Sequence, residues 1–471
     1  MDFLAQPVAL VLFVLGISLI SILLSPRTVS LDSFLRGTSN SGHPPTTLML
    51  TLSQTTTWIF ARSLMNAAIL GYFYGLAGAL AYTCYYLSFL TGLYVVEQLR
   101  QQGARSVQQW LTDHFGRVGC HAYNVVIGLR LLSEVFANLI VVGLIFSYAF
   151  PAHTWSYHAS ILSIALLALI YSSAGGLRAS LRTDVMQMVI FLLVFITALA
   201  VMLLSEQFSF ADILVAQGVH EQGSRPGWIL VMVALLQVFS YPVHDPIMMD
   251  RGFIADRATT RKSFIYAFVL SSVCILGFAM FGIQAAIIGA SYEHQLLATW
   301  QGMFGAGVYF LLAAALLISA LSTIDSALAS TARLVTDELK WLARTVLNGR
   351  ITMLVFMLLG CLLTLWDNKT LFDAVAVSGT ASMFLTPVLI CAFVFKRVVP
   401  VWSFMLAYAT SLLGALAYLF HASPWVQWLF GAGHKYDQLL SICCVVLLVG
   451  FSVSLLGILS AHKAAIQAKK T

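Results

Sequence analysis

Long apolar segments dominate this sequence and restrict its fold more than any other feature. Apolar residues make up 60% of its 471 residues and charged residues only 9%, whereas a soluble domain carries about 25% charged residues. A helix that crosses about 30 Å of hydrocarbon needs about 20 mostly apolar residues. The chain is therefore predicted to be an all-α membrane protein.

The apolar segments divide into thirteen predicted membrane spans. They lie near residues 5–24, 46–74, 75–98, 119–149, 155–174, 183–203, 227–248, 262–290, 304–336, 350–366, 371–395, 400–420 and 437–460. The first lacks a basic leader and an Ala-x-Ala cleavage site, so we interpret it as a retained helix and not as a signal peptide. No linker rich in Pro, Gly or Ser interrupts the chain, which predicts a single transmembrane domain over 1–471.

The distribution of Lys and Arg predicts the orientation of these spans. With the N-terminus outside, 20 of the 25 basic residues fall on the inner side, and Arg62 and Arg130 fall within spans. The outer loops hold only Arg225, Lys369 and Lys435. Such an excess of inner Lys and Arg follows the positive-inside rule, and it explains the net charge of +6 without a nucleic-acid partner.

The second span carries an unusual run of hydroxyl side chains between Leu50 and Ser63. One interpretation is hydrogen bonding between helices, which is common for Ser and Thr in membranes. The other is that three consecutive β-branched threonines, Thr55 to Thr57, weaken the helix. Unwinding there would free carbonyl oxygens for a cation, as in the discontinuous helices of transporters.

The seventh span contains two prolines, Pro242 and Pro246, that must bend or break it. Tyr241, His244 and Asp245 lie at this point. Either they face a site at the break, or the break lies near the inner end and Asp245 is solvated there.

The fourth span contains an acid and a base one turn apart, Arg130 and Glu134, on one helix face. At this spacing each neutralises the other in a low dielectric. The pair is either a structural ion pair or part of a solute site, and Arg62 could also seek Glu134 or Asp245.

The ninth span carries five hydroxyl residues on one face. At 100° per residue they form a continuous stripe, and they are Ser319, Ser322, Thr323, Ser326 and Ser330. A single hydroxyl is usually bonded back to its own helix. Five on one face indicate a site for an alkali cation, which prefers oxygen ligands.

Two segments of the chain resemble the sodium:solute symporter family, whose members transport sugars, proline, pantothenate, sialic acid and urea. The segment Gly175–Gln187 is similar to the family's signature before its fifth core helix, and Ser319–Thr331 is similar to its eighth core helix. The resemblance implies a leucine-transporter-like fold with two inverted five-helix repeats, here 46–203 and 227–395. The first and sixth core helices would be broken, with one extra helix at 5–24 and two more at 400–460.

The resemblance also implies a sodium site. Its carbonyls would be those of Leu52, Thr55 and Ser319, and its hydroxyls those of Ser322 and Thr323. Asp184 matches an acid associated with sodium movement. A second sodium, or the ion exit, would use Asp184, Asp325 and Ser326 together with Ser322, although an Asp replaces the hydroxyl expected at position 325.

The solute site of such proteins lies among the first, third, sixth, seventh and tenth core helices. The corresponding candidates are Gln54, Thr56, Trp58, Arg130, Glu134, Gln237 and Tyr241. They do not include the polar side chains expected in the solute site of a sugar transporter. The alternatives left for the solute are an amino acid, a carboxylate and a urea-like compound.

These features predict a sodium-coupled symporter that imports a small polar solute by alternating access, without an organic cofactor. One alternative is proton coupling, with Asp184 or Glu134 as the relay. Another is a solute sensor, which usually carries a long soluble output domain after the last span. No nucleophile elbow, metal cluster or phosphate loop indicates an enzyme. The seven cysteines lie mostly in apolar runs without a CxxC pair, and short loops favour a bacterial inner membrane.

Overall fold

The computed structural model describes residues 7–26, 29–39, 42–365 and 371–468. Over these residues the chain forms α-helices joined by short turns and contains no β-strand, as predicted. Residues 5 and 6 of the first predicted span and 366–370 of the second predicted repeat lie outside the described residues. The helices are α1 (Pro7–Leu24), α2 (Leu31–Arg36), α3 (Thr47–Trp58), α4 (Ala61–Cys84), α5 (Ser88–Gln101), α6 (Val107–Ala149), α7 (Ser156–Leu203), α8 (Phe210–Val215), α9 (Arg225–Gln237), α10 (Pro246–Gly252), α11 (Arg257–Ile287), α12 (Leu297–Arg333), α13 (Val346–Leu363), α14 (Leu371–Ser382), α15 (Leu385–Phe393), α16 (Val401–Leu419), α17 (Pro424–Phe430) and α18 (Lys435–Ala468).

Nine helices of the described chain are long and apolar enough to cross a membrane, or up to ten with the bent pair α14 and α15. This number is smaller than thirteen partly because some continuous helices cover two predicted spans. Helix α7 covers the fifth and sixth, and it bends at Gly176, whose φ of +56° is a conformation that glycine adopts readily. The count of thirteen spans stays a prediction.

The two predicted helix breaks are present. The second span, which is the first core helix, is interrupted between α3 and α4, where Ile59 has a non-helical ψ of 52°. The seventh is interrupted between α9, which ends at Gln237, and α10, which begins at Pro246. Threonines in the first case and prolines in the second weaken the helix at these points.

Close helix packing encloses the region between the breaks. Helix α11 packs along α4, and α12 packs along α7. Gly282 of α11 lies so near α4 that a Cβ there would be 1.8 Å from the carbonyl oxygen of Ala68. Small residues permit such approaches in membranes, where close packing drives helix association. Large apolar side chains such as Leu129, Leu166 and Leu193 point outward and form the lipid-facing surface.

Candidate functional site

The break between α3 and α4 lies directly against the hydroxyl stripe of α12. Ser319 donates to the carbonyl of Ile59, and the Thr323 hydroxyl lies 3.3 Å from the carbonyl of Thr57. Where a helix breaks, its last carbonyls lose the N–H groups of the next turn and become available to other partners. Hydroxyl and carbonyl oxygens thus meet in a fully buried position.

The predicted carbonyls of Leu52 and Thr55 belong to α3. The carbonyl of Thr55 accepts a hydrogen bond from the N–H of Ile59 at 3.0 Å and so belongs to the last helical turn. The structure brings the carbonyls of Thr57 and Ile59 to α12 instead. The sequence predicted the break, but the carbonyls that reach α12 lie further along the chain.

Asp184 of α7 lies at the centre of a second group of oxygens beside this position. Its Oδ1 accepts from Ser322 at 2.6 Å, and its Oδ2 accepts from Ser53 at 2.5 Å. The carboxylate therefore connects α7 with α12 and with α3, the first half of the broken helix. Ser322 faces Asp184, so its hydroxyl is shared between the two predicted ion positions.

Arg251 of α10 places its guanidinium within this second group. Its Nη2 lies 3.2 Å from Asp184 Oδ2 and 2.8 Å from Ser326 Oγ, and its Nε donates to Ser53 Oγ at 2.9 Å. The side chain is completely buried. A fixed positive charge therefore occupies the position that Asp184 and Ser326 were predicted to offer to a second ion.

Asp325, also predicted for that ion, lies on the far side of the same group. Ser180 donates to its Oδ1 at 3.0 Å and Thr183 to its Oδ2 at 3.1 Å. Ser180 also lies 2.8 Å from Ser326. Hydroxyl donors thus satisfy the carboxylate, which explains how an Asp is accommodated where a hydroxyl was expected.

Arg251 was not among the site residues predicted from sequence, because it was assigned to the basic residues of the inner loops and adjoining span ends. The structure shows that its side chain is completely buried. The available signal was Asp325, which lies deep within the ninth predicted span with no Lys, Arg or His nearby in sequence. Buried carboxylates need a cationic partner, so one had to come from a distant segment.

A second charged group surrounds Arg130. Its Nη2 pairs with Glu134 and with Asp245 Oδ2 at 3.2 Å. Asp245 is completely buried at the start of α10, where it also accepts from the N–H of Met248 at 3.0 Å. The interpretation of Asp245 as a solvated inner residue is therefore wrong.

Several predicted solute contacts lie close by without polar partners. Trp58 packs its ring against Tyr241, with ring centroids 5.9 Å apart, while its Nε1 has no hydrogen-bond partner. Both side-chain polar atoms of Gln54 and the hydroxyl of Thr56 are likewise unpaired and buried. Buried polar groups in native proteins are usually paired, so these atoms are candidates for contacts with a ligand or with water.

Gln237 differs from that set because its amide is already engaged. Tyr85 donates to its Oε1 at 2.9 Å, and its Nε2 donates to Thr380 at 3.1 Å. Tyr241 stacks near Arg130, whose Cζ lies 5.1 Å from the ring centroid. Gln237 thus holds helices together here, and Tyr241 forms part of the wall next to Arg130.

Comparison with known proteins places this geometry in a known fold. No protein-family model and no curated protein matches the sequence. The structure is similar to that of a Na+-coupled sialic acid symporter in its substrate-bound outward-open state. The TM-score is 0.69 at 16% identity, over 95% of this chain and 97% of that chain.

A second similar structure is that of a nucleobase-cation-symport-1 family transporter, in a closed conformation with bromovinylhydantoin bound. The TM-score is 0.58 at 12% identity, over 90% of this chain and 95% of that chain. Identities this low establish the fold and not the solute. This integral membrane protein therefore has the leucine-transporter-like fold, with broken first and sixth core helices, that its sequence predicted.

Proposed function

We propose that this protein is a sodium-coupled secondary symporter that imports a small polar solute by alternating access. The observation that carries the proposal is the meeting of the broken first core helix with the hydroxyls of α12. The fold supports it, because both similar structures described above are of symport-type transporters. The resemblance of the two sequence motifs to sodium:solute symporters supports it independently.

The proposed sodium site lies between the helix break and α12. Its ligands are the carbonyl oxygens of Thr57 and Ile59, the predicted hydroxyls of Ser322 and Thr323, and the hydroxyl of Ser319. The Ser319 hydroxyl takes the place of the predicted Ser319 carbonyl, which accepts from the Thr323 hydroxyl at 2.9 Å. The carbonyls of Thr57 and Ile59 replace the predicted carbonyls of Leu52 and Thr55, which belong to α3. Neutral oxygen ligands suit a hard alkali cation, and the carboxylate of Asp184 next to Ser322 adds a favourable negative charge.

We further infer that one sodium moves per cycle at this site. Arg251 already supplies the positive charge next to Asp184 and Ser326. A sodium ion at the same place would meet a like charge in a low dielectric, which disfavours it strongly. Arg251 therefore acts as a fixed substitute for the second ion.

In the proposed cycle, sodium holds the break of the first core helix against α12 and so favours the solute-binding state. Inward opening separates these elements and releases the ion past Asp184. A membrane potential of ~100 mV supplies about 2.3 kcal/mol per inward positive charge. We also propose a bacterial inner membrane with the N-terminus outside, on the basis of the Lys and Arg distribution.

The test is sodium-dependent solute uptake into proteoliposomes, with the double variant Ser322→Ala and Thr323→Ala. We expect loss of sodium dependence, whereas the control Ser411→Ala, which removes a buried hydroxyl from α16, should behave as wild type. Full sodium-coupled uptake in the double variant would refute the proposed site.

Proton coupling is the second candidate, favoured by one observation. Glu134 is completely buried, and its Oε2 has no hydrogen-bond partner. Either this carboxylate or Asp184 would then relay the proton. Uptake that continues without sodium and stops when the pH gradient is collapsed would support this candidate over sodium.

A further inference from the structure

Arg62 is a completely buried arginine with no polar partner in the described part of the chain. Its Nε, Nη1 and Nη2 all lack hydrogen bonds, and the side chain has no exposed surface. It lies in the first turn of α4, directly after the break of the first core helix. Charged groups at such depth are costly and typically mark functional sites.

The other two fully buried arginines already have their acids. Arg130 pairs with Glu134 and Asp245, and Arg251 pairs with Asp184. No described acid pairs with Arg62 in the same way. Arg62 is therefore the one of these three arginines that contacts no acid among the described residues.

Arg62 faces the same space as the predicted solute contacts. Its Cζ lies 5.9 Å from the centroid of the Phe60 ring, and the Cζ of Arg130 lies 5.3 Å from that centroid. Arg130, Glu134 and Tyr241 are all near enough to act electrostatically on Arg62. Two guanidinium groups thus approach one aromatic ring at the helix break.

Several unpaired groups around this ring are hydrogen-bond donors, whereas the unpaired Oε2 of Glu134 is an acceptor. Trp58 Nε1 and the Nε and Nη1 atoms of Arg130 lack partners, as Arg62 does. Helix α4 begins at this point, and Phe60 provides no side-chain cap for its first N–H groups. The uncapped start of a helix carries partial positive charge and favours an anion. Both carboxylates of this group, Glu134 and Asp245, contact Arg130, so Arg62 is the cation that lacks a contacting acid among the described residues.

We propose that Arg62 binds the carboxylate of the solute, so that the solute is a small organic carboxylate and not a urea-like compound. A guanidinium offers two parallel N–H donors that match the two oxygens of a planar carboxylate. This inference rests on the proposed function only in taking the bound compound to be the transported one. Arg130, the carboxylate ligand expected from sequence, is instead held by Glu134 and Asp245.

The binding test uses the purified protein in sodium and measures thermal shifts with matched pairs of compounds. Propionate is compared with propionamide, alanine with alaninamide and nicotinate with nicotinamide, with urea and chloride added separately. We expect a carboxylate, and not its amide, to raise the melting temperature. Stabilisation by an amide or urea without any by a carboxylate, or by none of the compounds, would overturn the proposal.

Variants then assign the binding to Arg62. In Arg62→Gln the active carboxylate should bind at least about tenfold more weakly, as expected for loss of a charge-assisted hydrogen bond. The control Arg350→Gln removes an exposed arginine at the start of α13 and should bind normally. Equal weakening in both variants would contradict a specific role of Arg62.

A second measurement needs no solute. Because Arg62 is buried without a partner, Arg62→Met should leave the melting temperature of the solute-free protein unchanged or raise it. Arg130→Met should lower it, since it leaves Glu134 and Asp245 unpaired. A fall in Arg62→Met as large as that in Arg130→Met would show a structural role and refute the proposal.

The binding role of Arg62 and the sodium coupling of transport can each be refuted without the other. If a carboxylate binds through Arg62 equally well in sodium and in choline, sodium coupling is wrong and the role of Arg62 stands. If an amide or urea binds only in sodium, the role of Arg62 is wrong and sodium coupling stands.

Discussion

Replacing Arg251 with methionine removes the cation of the buried ion pair with Asp184 but keeps much of the side-chain volume. Asp184 would then remain buried with only hydroxyl donors, from Ser53, Ser180 and Ser322, beside the second carboxylate of Asp325. Breaking a buried ion pair in this way costs about 3–5 kcal/mol. The cost arises because the remaining charge has lost its partner and cannot reach water.

That energy converts into a measurable fall in melting temperature. On the scale of soluble proteins, unfolding entropy is about 2.1 cal/mol/K per residue, or roughly 1 kcal/mol/K for a chain of 471 residues. The expected fall for Arg251→Met in choline chloride is therefore about 3–5 °C. Since the pair is completely buried, the difference from wild type should not change between low and high choline chloride.

The assay is thermal unfolding followed by tryptophan fluorescence, with Arg251→Met, Asp184→Asn and the double variant. If the two groups interact directly, the double variant should lose clearly less than the sum of the single losses. Sodium should also stabilise Arg251→Met more than wild type, because the substitution vacates the position of the second ion. Additive losses, or a sodium response unchanged from wild type, would refute the reasoning.

Three further predictions concern other parts of the molecule. Gly282→Ala should lower the melting temperature, because the new methyl group would overlap the carbonyl of Ala68 in α4. Thermal unfolding measures this, with Gly16→Ala as the control, since nothing lies within 4 Å of a Cβ at Gly16. Partial burial, with a contribution from His220, lowers the pKa of His434 to about 4. The neutral imidazole therefore contributes fully to the stability of the folded protein above its ordinary pKa of 6.5. The melting temperature should fall as the pH drops from 6.5 to about 4. His434→Gln should flatten that pH profile of the melting temperature. Finally, Ser319→Ala should weaken the sodium-dependent thermal shift by removing the hydroxyl at the helix break, and an unchanged sodium titration would contradict its role as a ligand.

Local sequence patterns were sufficient to predict both helix breaks. Three β-branched threonines disfavour continued helix before Ile59, and the prolines after Gln237 remove backbone donors. The hydroxyl stripe of α12 was predictable in the same way, because the helical period fixes which side chains share a face. The family resemblance added the fold, which the similar structures confirm.

The register between helices was not predictable, because periodicity fixes a face but not the sliding of one helix along another. The contacts of the Thr57 and Ile59 carbonyls with hydroxyls of α12 were therefore not predicted. The hydrogen-bond partners of Gln237 could not be predicted from local sequence either, because Thr380 lies more than one hundred residues away in sequence.

Helix α10 joins the two charged groups of the molecule. Asp245 lies at its start and pairs with Arg130, and Arg251 lies in its last turn and pairs with Asp184. At 1.5 Å per residue the two ends are only about 9 Å apart, so a helix this short moves as a unit.

In the proposed cycle, moving α10 away from α7 and α12 must break the Arg251–Asp184 pair and shift Asp245 relative to Arg130. Ser322 donates to the same Asp184, so a sodium ion bound at Ser322 would influence the acid that Arg251 must leave. The ion site and the proposed solute site would thus be coupled through one short helix, and the threonine-weakened break of the first core helix would lie between them.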